Sequence, residues 1–244
     1  MLTSADMTLE ILVDSRHGLV EACASRFEEA AGRAVAERGR FAVALSGGSV
    51  AITFFPRLAR AGVDGSRTEF FWSDERAVPL SDPESNYGIA VNLWLAPARV
   101  PAARVHRMPA EAGDLEGAAA AYAGELEAEL GTPPRLDVAL LGMGPDGHVC
   151  SLFPGHPLLQ EKRRWVAAVL DSPKPPPRRL TLTLPVLHAA DLVIVAAMGE
   201  AKAEAVREAI EDPASALPVA LAVRGARRAL FMLDDAAAHR LSRH

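Results

Sequence analysis

Seven short apolar runs recur along the chain, at 8–13, 41–45, 69–72, 136–141, 165–170, 192–197 and 229–233, and most lack a clean polar–apolar alternation. A strand that faces water on one side alternates. A run that stays apolar throughout is covered on both faces, as in a parallel sheet between layers of helices. Helical patterns separate the runs. Residues 17–38 are rich in alanine and glutamate and stop at Gly39; 115–130 stop at Gly131, ahead of Pro133 and Pro134; and 200–210 stop near Asp212 and Pro213. Glycine and proline just past the last periodic turn are ordinary helix stops. Alternation of strand and helix predicts an α/β fold, a doubly wound, mostly parallel sheet with helices on both faces, Rossmann-like in outline. There is no internal repeat. The one biased stretch, DSPKPPPRR at 171–179, suits a rigid loop better than a boundary, so a single domain over 1–244 is expected.

Composition narrows the function classes. Half of the 244 residues are hydrophobic, enough for a sizeable core, and the net charge of −5 comes with no basic block that could track a phosphate backbone. A nucleic-acid partner is therefore not expected. Cys23 and Cys150 form neither a disulfide framework nor a zinc spacing. The opening MLTSADMTLEIL has no basic region followed by an apolar run, so no signal peptide is expected. The apolar runs fall well short of the ~20 residues of a membrane helix. A cytoplasmic protein with no membrane partner is the expectation.

Ligands of open α/β sheets collect beyond the carboxyl ends of the strands, which makes four strand ends candidates. In FAVALSGGSV the run breaks into Ser46, Gly47 and Gly48 before a helical segment. Backbone N–H groups and a helix N-terminus there can hold a phosphate, although a tight turn with a capping serine reads equally well. In FFWSDERAVPLSDPESNYG, Asp74, Glu75 and Arg76 stand at a strand end, and Asp82, Ser85 and Asn86 open the next helix. An isolated charged triplet is usually a solvated turn; this one lies beside a second polar cluster. In LGMGPDGHVCSLFPGHP, Gly142, Gly144 and Gly147 let the chain leave its strand and present Asp146 with His148, with Ser151 expected on a following helix. A histidine beside a carboxylate fits a general base held in one tautomer. A metal site from His148, His156 and Asp146 is the rival, disfavoured by the intervening loop and by the lack of a third nearby histidine. The last group comprises Arg178, Arg179 and Lys202, each an ordinary surface cation alone and together a phosphate clamp. His17, His106, His188, His239 and His244 lack a partner pattern and read as surface or structural, and Cys150 reads as simply buried.

Taken together, these segments resemble the 6-phosphogluconolactonases, a family that shares its fold with glucosamine-6-phosphate deaminases and, more distantly, ribose-5-phosphate isomerases. The resemblance runs from LSGGS at Leu45 through FFWSDERAVP and SNYG to GMGPDGHVCSLFPGH, RLTLTLPVL and MGEAKAEAV. DER together with DGHVCSLFPGH resembles the lactonase branch, whereas deaminases carry forms like DEY and DGHIAFNEPG. The sequence departs from the family where SGGS usually continues to Thr-Pro and here continues Val50-Ala51, and where Cys150 replaces a common alanine.

The resemblance implies hydrolysis of 6-phospho-D-glucono-1,5-lactone to 6-phosphogluconate, the second step of the oxidative pentose phosphate pathway. The absence of a Gly-x-Ser-x-Gly elbow accords with a route that forms no acyl-serine. In this reading His148 is the general base, and Asp146 orients it or pairs with Arg76. Arg76 polarises the carbonyl or steers the anion, and Asp74 hydrogen-bonds sugar hydroxyls. Ser46, Gly47, Gly48, Asn86, Arg179 and Lys202 hold the substrate and its phosphate. Neither a metal nor another cofactor is expected; the partner is a small sugar-phosphate lactone, and the chain is a monomer or weak homo-oligomer. An isomerase or deaminase of hexosamine phosphates and a non-catalytic sugar-phosphate sensor are the alternatives.

Overall fold

A computed structural model of the chain describes residues 8–242. Residues 1–7, on which part of the leader reading falls, and 243–244, which include His244, lie outside them. Among the described residues the strands form two sheets. Strands β1 (Thr8–Val13), β2 (Phe41–Leu45), β3 (Thr68–Trp72), β5 (Val138–Gly142), β8 (Leu192–Ala197) and β9 (Arg228–Leu233) make a six-stranded sheet in the order β1-β9-β8-β5-β2-β3. Every pairing in it is parallel. Strands β2, β3 and β8 are buried along their whole length, which explains why their sequences do not alternate.

Flanking helices are α1 (Arg16–Arg38), α2 (Gly48–Leu58), α3 (Asn86–Ala90), α4 (Leu115–Leu130), α5 (Leu184–Ala189), α6 (Ala203–Glu211), α7 (Pro218–Gly225) and α8 (Asp235–Ala238). Their ends follow local chemistry. In α1 the Ser15 side chain accepts from Gly18 N, and Gly39 closes the helix at φ 75°, a left-handed conformation that costs glycine little. Its buried residues, Leu19, Cys23, Ala24, Phe27, Ala30, Ala31 and Ala34, fall on one helical face. Phe27 meets Phe41 and Trp94 edge-on, at 6.1 and 5.8 Å between ring centres, and Phe70 meets Trp94 at 5.4 Å. None of the described helices is long and apolar enough to cross a membrane.

Three expectations are corrected. The run at 165–170 is a strand, β6 (Val166–Val169), but it lies outside the parallel sheet. It pairs antiparallel with β7 (Arg179–Leu182), which pairs antiparallel with β4 (Asp74–Arg76). The stretch 200–210 starts as a 3-10 turn over Glu200–Lys202, and α6 begins only at Ala203. Ser151 sits in a turn rather than a helix, because Val149 bridges to both Met143 and Leu152 and folds the segment back on itself.

Ser73 joins the two sheets. Its N–H donates to Leu45 O at 2.8 Å, and its carbonyl accepts from Leu182 N at 2.8 Å. The order of the large sheet reverses between β2 and β5, so the SGG turn after β2 and the GMGPDGH loop after β5 leave adjacent strands side by side. That is where open α/β sheets form a crevice.

Candidate active site

A cleft of about 250 Å³ opens at that reversal. Its lining includes Ser46, Gly47, Gly48, Asp74, Arg76, His148, Cys150, Arg179 and Lys202. Chain ends from both halves of the large sheet and from the small sheet therefore converge on one hollow. Another cavity, about 340 Å³, lies at the opposite ends of the strands. Its charges largely pair with one another, Arg38 with Asp137 and both Arg135 and Arg227 with Asp191, and it contains no histidine.

The SGG turn leads directly into α2. Gly48 has φ 62°, a backbone that a side chain would strain. No side chain caps α2, so its first N–H groups remain available to an anion. Val50 and Ala51, where the family usually has Thr-Pro, are fully buried and pack into the core, and Val50 also faces Gly142.

Strand alternation divides DER into separate tasks. Asp74 and Arg76 reach the cleft. Glu75 instead accepts from the N–H groups of Asn86 (2.8 Å) and Tyr87 (2.7 Å), so it fixes the start of α3. Asn86 sits behind the SGG turn, outside the lining, and its Nδ2 donates to Asp74 O at 2.8 Å and to Asp74 Oδ1 at 3.1 Å. The Ser151 hydroxyl donates to Asp74 Oδ2 at 2.8 Å. Both Asp74 oxygens are thus engaged by protein groups. Arg76 Nη1 donates to Glu84 O at 2.7 Å, while its Nη2 bonds to none of the described residues.

His148 Nδ1 lies 2.6 Å from Asp146 Oδ1. Burial alone would raise the Asp146 carboxyl, but hydrogen bonds from His148 and Lys174 outweigh it and hold the group at about 2. An ionised carboxylate only accepts, so Nδ1 carries the proton and Nε2 keeps the lone pair. Burial is the main reason the His148 ring sits below its ordinary value, with Lys174 acting in the same direction and Asp146 in the opposite one. The Phe153 ring packs 4.9 Å from the imidazole. Gly144 makes the pair possible, because a Cβ there would overlap both His148 Nδ1 and Asp146 Oδ1.

Of the two readings of Asp146, orienting His148 or pairing with Arg76, the geometry shows the contact with His148, joined by Lys174, and no pairing with Arg76. Arg178 is exposed and donates to Gly113 O, away from the cleft. Arg179 reaches the cleft, but its Nε and Nη2 go to loop carbonyls. Lys202 is half-buried and bonds to no described residue, and burial lowers its ammonium against the pull of Asp234. His156 turns to Asp171 at 3.2 Å, so the three residues of the rival metal reading do not converge. No group of three metal-ligating side chains forms among the described residues. His106, read as partnerless, is buried and bridges Glu69 and Glu125 while stacking on Phe71. Burial raises the Cys150 thiol, which keeps it protonated. Lys174 went unread because it sits in the proline stretch, where composition signals only a loop.

Comparison with known proteins bears on the family and the fold. Residues 14–231 match the family described as glucosamine-6-phosphate isomerases/6-phosphogluconolactonase. A Rattus norvegicus protein named 6-phosphogluconolactonase is 45% identical over 212 residues, covering 84% of this chain and 82% of its own length. A Mycobacterium tuberculosis protein of that name is 43% identical over 245 residues, covering 96% and 98%. The solved 6-phosphogluconolactonase from Trypanosoma cruzi superposes with a TM-score of 0.86 at 27% identity, covering 96% of this chain and 97% of that one.

Proposed function

The chain belongs to the glucosamine-6-phosphate isomerase/6-phosphogluconolactonase family, and we propose that it hydrolyses 6-phospho-D-glucono-1,5-lactone to 6-phosphogluconate, the second step of the oxidative pentose phosphate pathway. The observation that carries this reading is His148. Its Nδ1 is fixed by Asp146 and its ring lines the cleft that holds the SGG turn, Arg76 and Lys202. The relatives' names point to the lactonase branch, as do DER and DGHVCSLFPGH.

In the proposed reaction a water oxygen attacks the lactone carbonyl carbon while its proton passes to His148 Nε2. The carbonyl electron pair moves onto oxygen, and Arg76 Nη2 and the charge of Arg179 stabilise the oxyanion. The oxyanion then collapses, the bond to the ring oxygen breaks, and the imidazolium returns its proton to that oxygen. The product is an open hydroxy acid, which loses its acid proton to solvent. The phosphate rests on the α2 N-terminus and Lys202. Asp74, engaged by Ser151 and Asn86, holds the cleft in shape and borders the sugar. This route draws on no metal.

The test generates the lactone in situ and follows proton release above the spontaneous opening rate, with and without chelator. Acceleration that survives chelation is expected. Acceleration abolished by chelator would overturn the metal-independent route. Ammonia release from glucosamine 6-phosphate, with no lactone opening, would overturn the substrate assignment.

A further inference from the structure

The prolines of the 171–179 stretch lack N–H groups, and the carbonyls of three successive residues there turn to one side chain. Arg179 takes them: Nε donates to Pro176 O at 2.9 Å, and Nη2 donates to Lys174 O at 3.1 Å and Pro175 O at 3.0 Å. Ser172 holds the same backbone, its hydroxyl donating to Lys174 O at 2.8 Å and accepting from Lys174 N at 3.2 Å. So fixed, Lys174 places its ammonium 3.0 Å from Asp146 Oδ1 and 3.1 Å from His148 Nδ1.

A carboxylate beside an imidazole has two effects. It fixes the ring and its tautomer, and it favours the imidazolium, which cannot act as a base. The first serves the reaction and the second opposes it. We propose that Lys174 is a positioning residue whose ammonium offsets the charge of Asp146, so that Asp146 orients His148 without trapping it as imidazolium. The proposal rests on the general-base reading of His148. Around the ring lie Phe153 at 4.9 Å and, lining the same cleft, Asp74, Arg76, Arg179 and Lys202, with the Arg179 guanidinium 5.7 Å from the Phe153 ring. Asp74 is the further anion that favours imidazolium, and burial with Lys174 acts against it. Arg179 thereby gains a second task, holding the loop that delivers Lys174.

The test is an NMR titration of the His148 imidazole, assigned by its loss in His148→Asn, in the intact protein and in Lys174→Met and Lys174→Arg. The midpoint should move to higher pH in Lys174→Met and stay near that of the intact protein in Lys174→Arg. Lactone hydrolysis should follow. On the acid limb each unit of upward shift lowers the rate about tenfold, and at high pH the rate should return to the plateau of the intact protein. A folded Lys174→Met with an unmoved midpoint would overturn the proposal, as would a loss that is uniform across pH or confined to KM. If Lys174→Met does not fold, Lys174→Gln carries the same measurement. Should the intact protein open no lactone, the proposed function falls while the titration still judges Lys174.

Discussion

With Nδ1 donating to Asp146, His148 offers its lone pair at Nε2, and both partners of that bond can be tested through it. Asp146→Asn keeps the shape, but the amide can donate to Nδ1 and push the proton to Nε2, which then has nothing with which to accept from water. Turnover should fall by about 10²–10⁴-fold with KM nearly unchanged, and high pH should not restore it. Turnover near that of the intact protein, with the acid limb moved to lower pH, would mean that Asp146 acts only through charge. In the intact protein, hydrolysis should persist to a pH below the ordinary imidazole value, because burial holds the ring neutral, and should fall as the ring protonates. The proximity of these side chains was legible in the sequence. Asp146 and His148 stand two positions apart and Asp74 and Arg76 share a strand face, so short spacing predicted proximity. Lys174 was not legible, since it lies 26 residues from His148 and only the fold of a proline loop brings them together. Arg179 was read as a phosphate ligand, and no spacing could reveal that three carbonyls occupy two of its nitrogens.

Elements carry the site as much as residues do. The loop after β5 works because Gly144 has no side chain, and a methyl group there must displace the imidazole or the carboxylate. Misplacement of about 1 Å at a reacting group can reduce a rate by roughly 10²-fold. Gly144→Ala should therefore lose about that much turnover. Unchanged turnover would show that the pair tolerates movement. The large sheet was legible because β2, β3 and β8 are apolar from end to end. The small sheet was not. Strand β4 is DER and β7 is RLTL, sequences that resemble a charged turn and a mixed segment, and both are strands only because each satisfies the other's backbone across an antiparallel ladder. Helix α6 started later than its pattern suggested because the first turn after Gly199 tightens to 3-10.

Across the whole molecule, charge is distributed against its average. The chain carries −5 overall, yet Arg76, Arg179 and Lys202 line one cleft with Asp74 as its lone carboxylate. Such a hollow attracts a phosphorylated substrate over a distance comparable with the Debye length, about 10 Å at 0.1 M salt. Raising ionic strength from 0.05 to about 0.5 M should therefore raise KM for the phosphorylated lactone severalfold and leave turnover nearly level. An unphosphorylated gluconolactone should respond much less. Equal responses would indicate that the cations serve stability rather than capture. The most direct measurement compares the intact protein with His148→Ala on in situ lactone, each corrected for spontaneous opening. The account predicts a loss of about 10²–10⁴-fold in turnover with product still bound; a variant that opens the lactone as fast as the intact protein would contradict it.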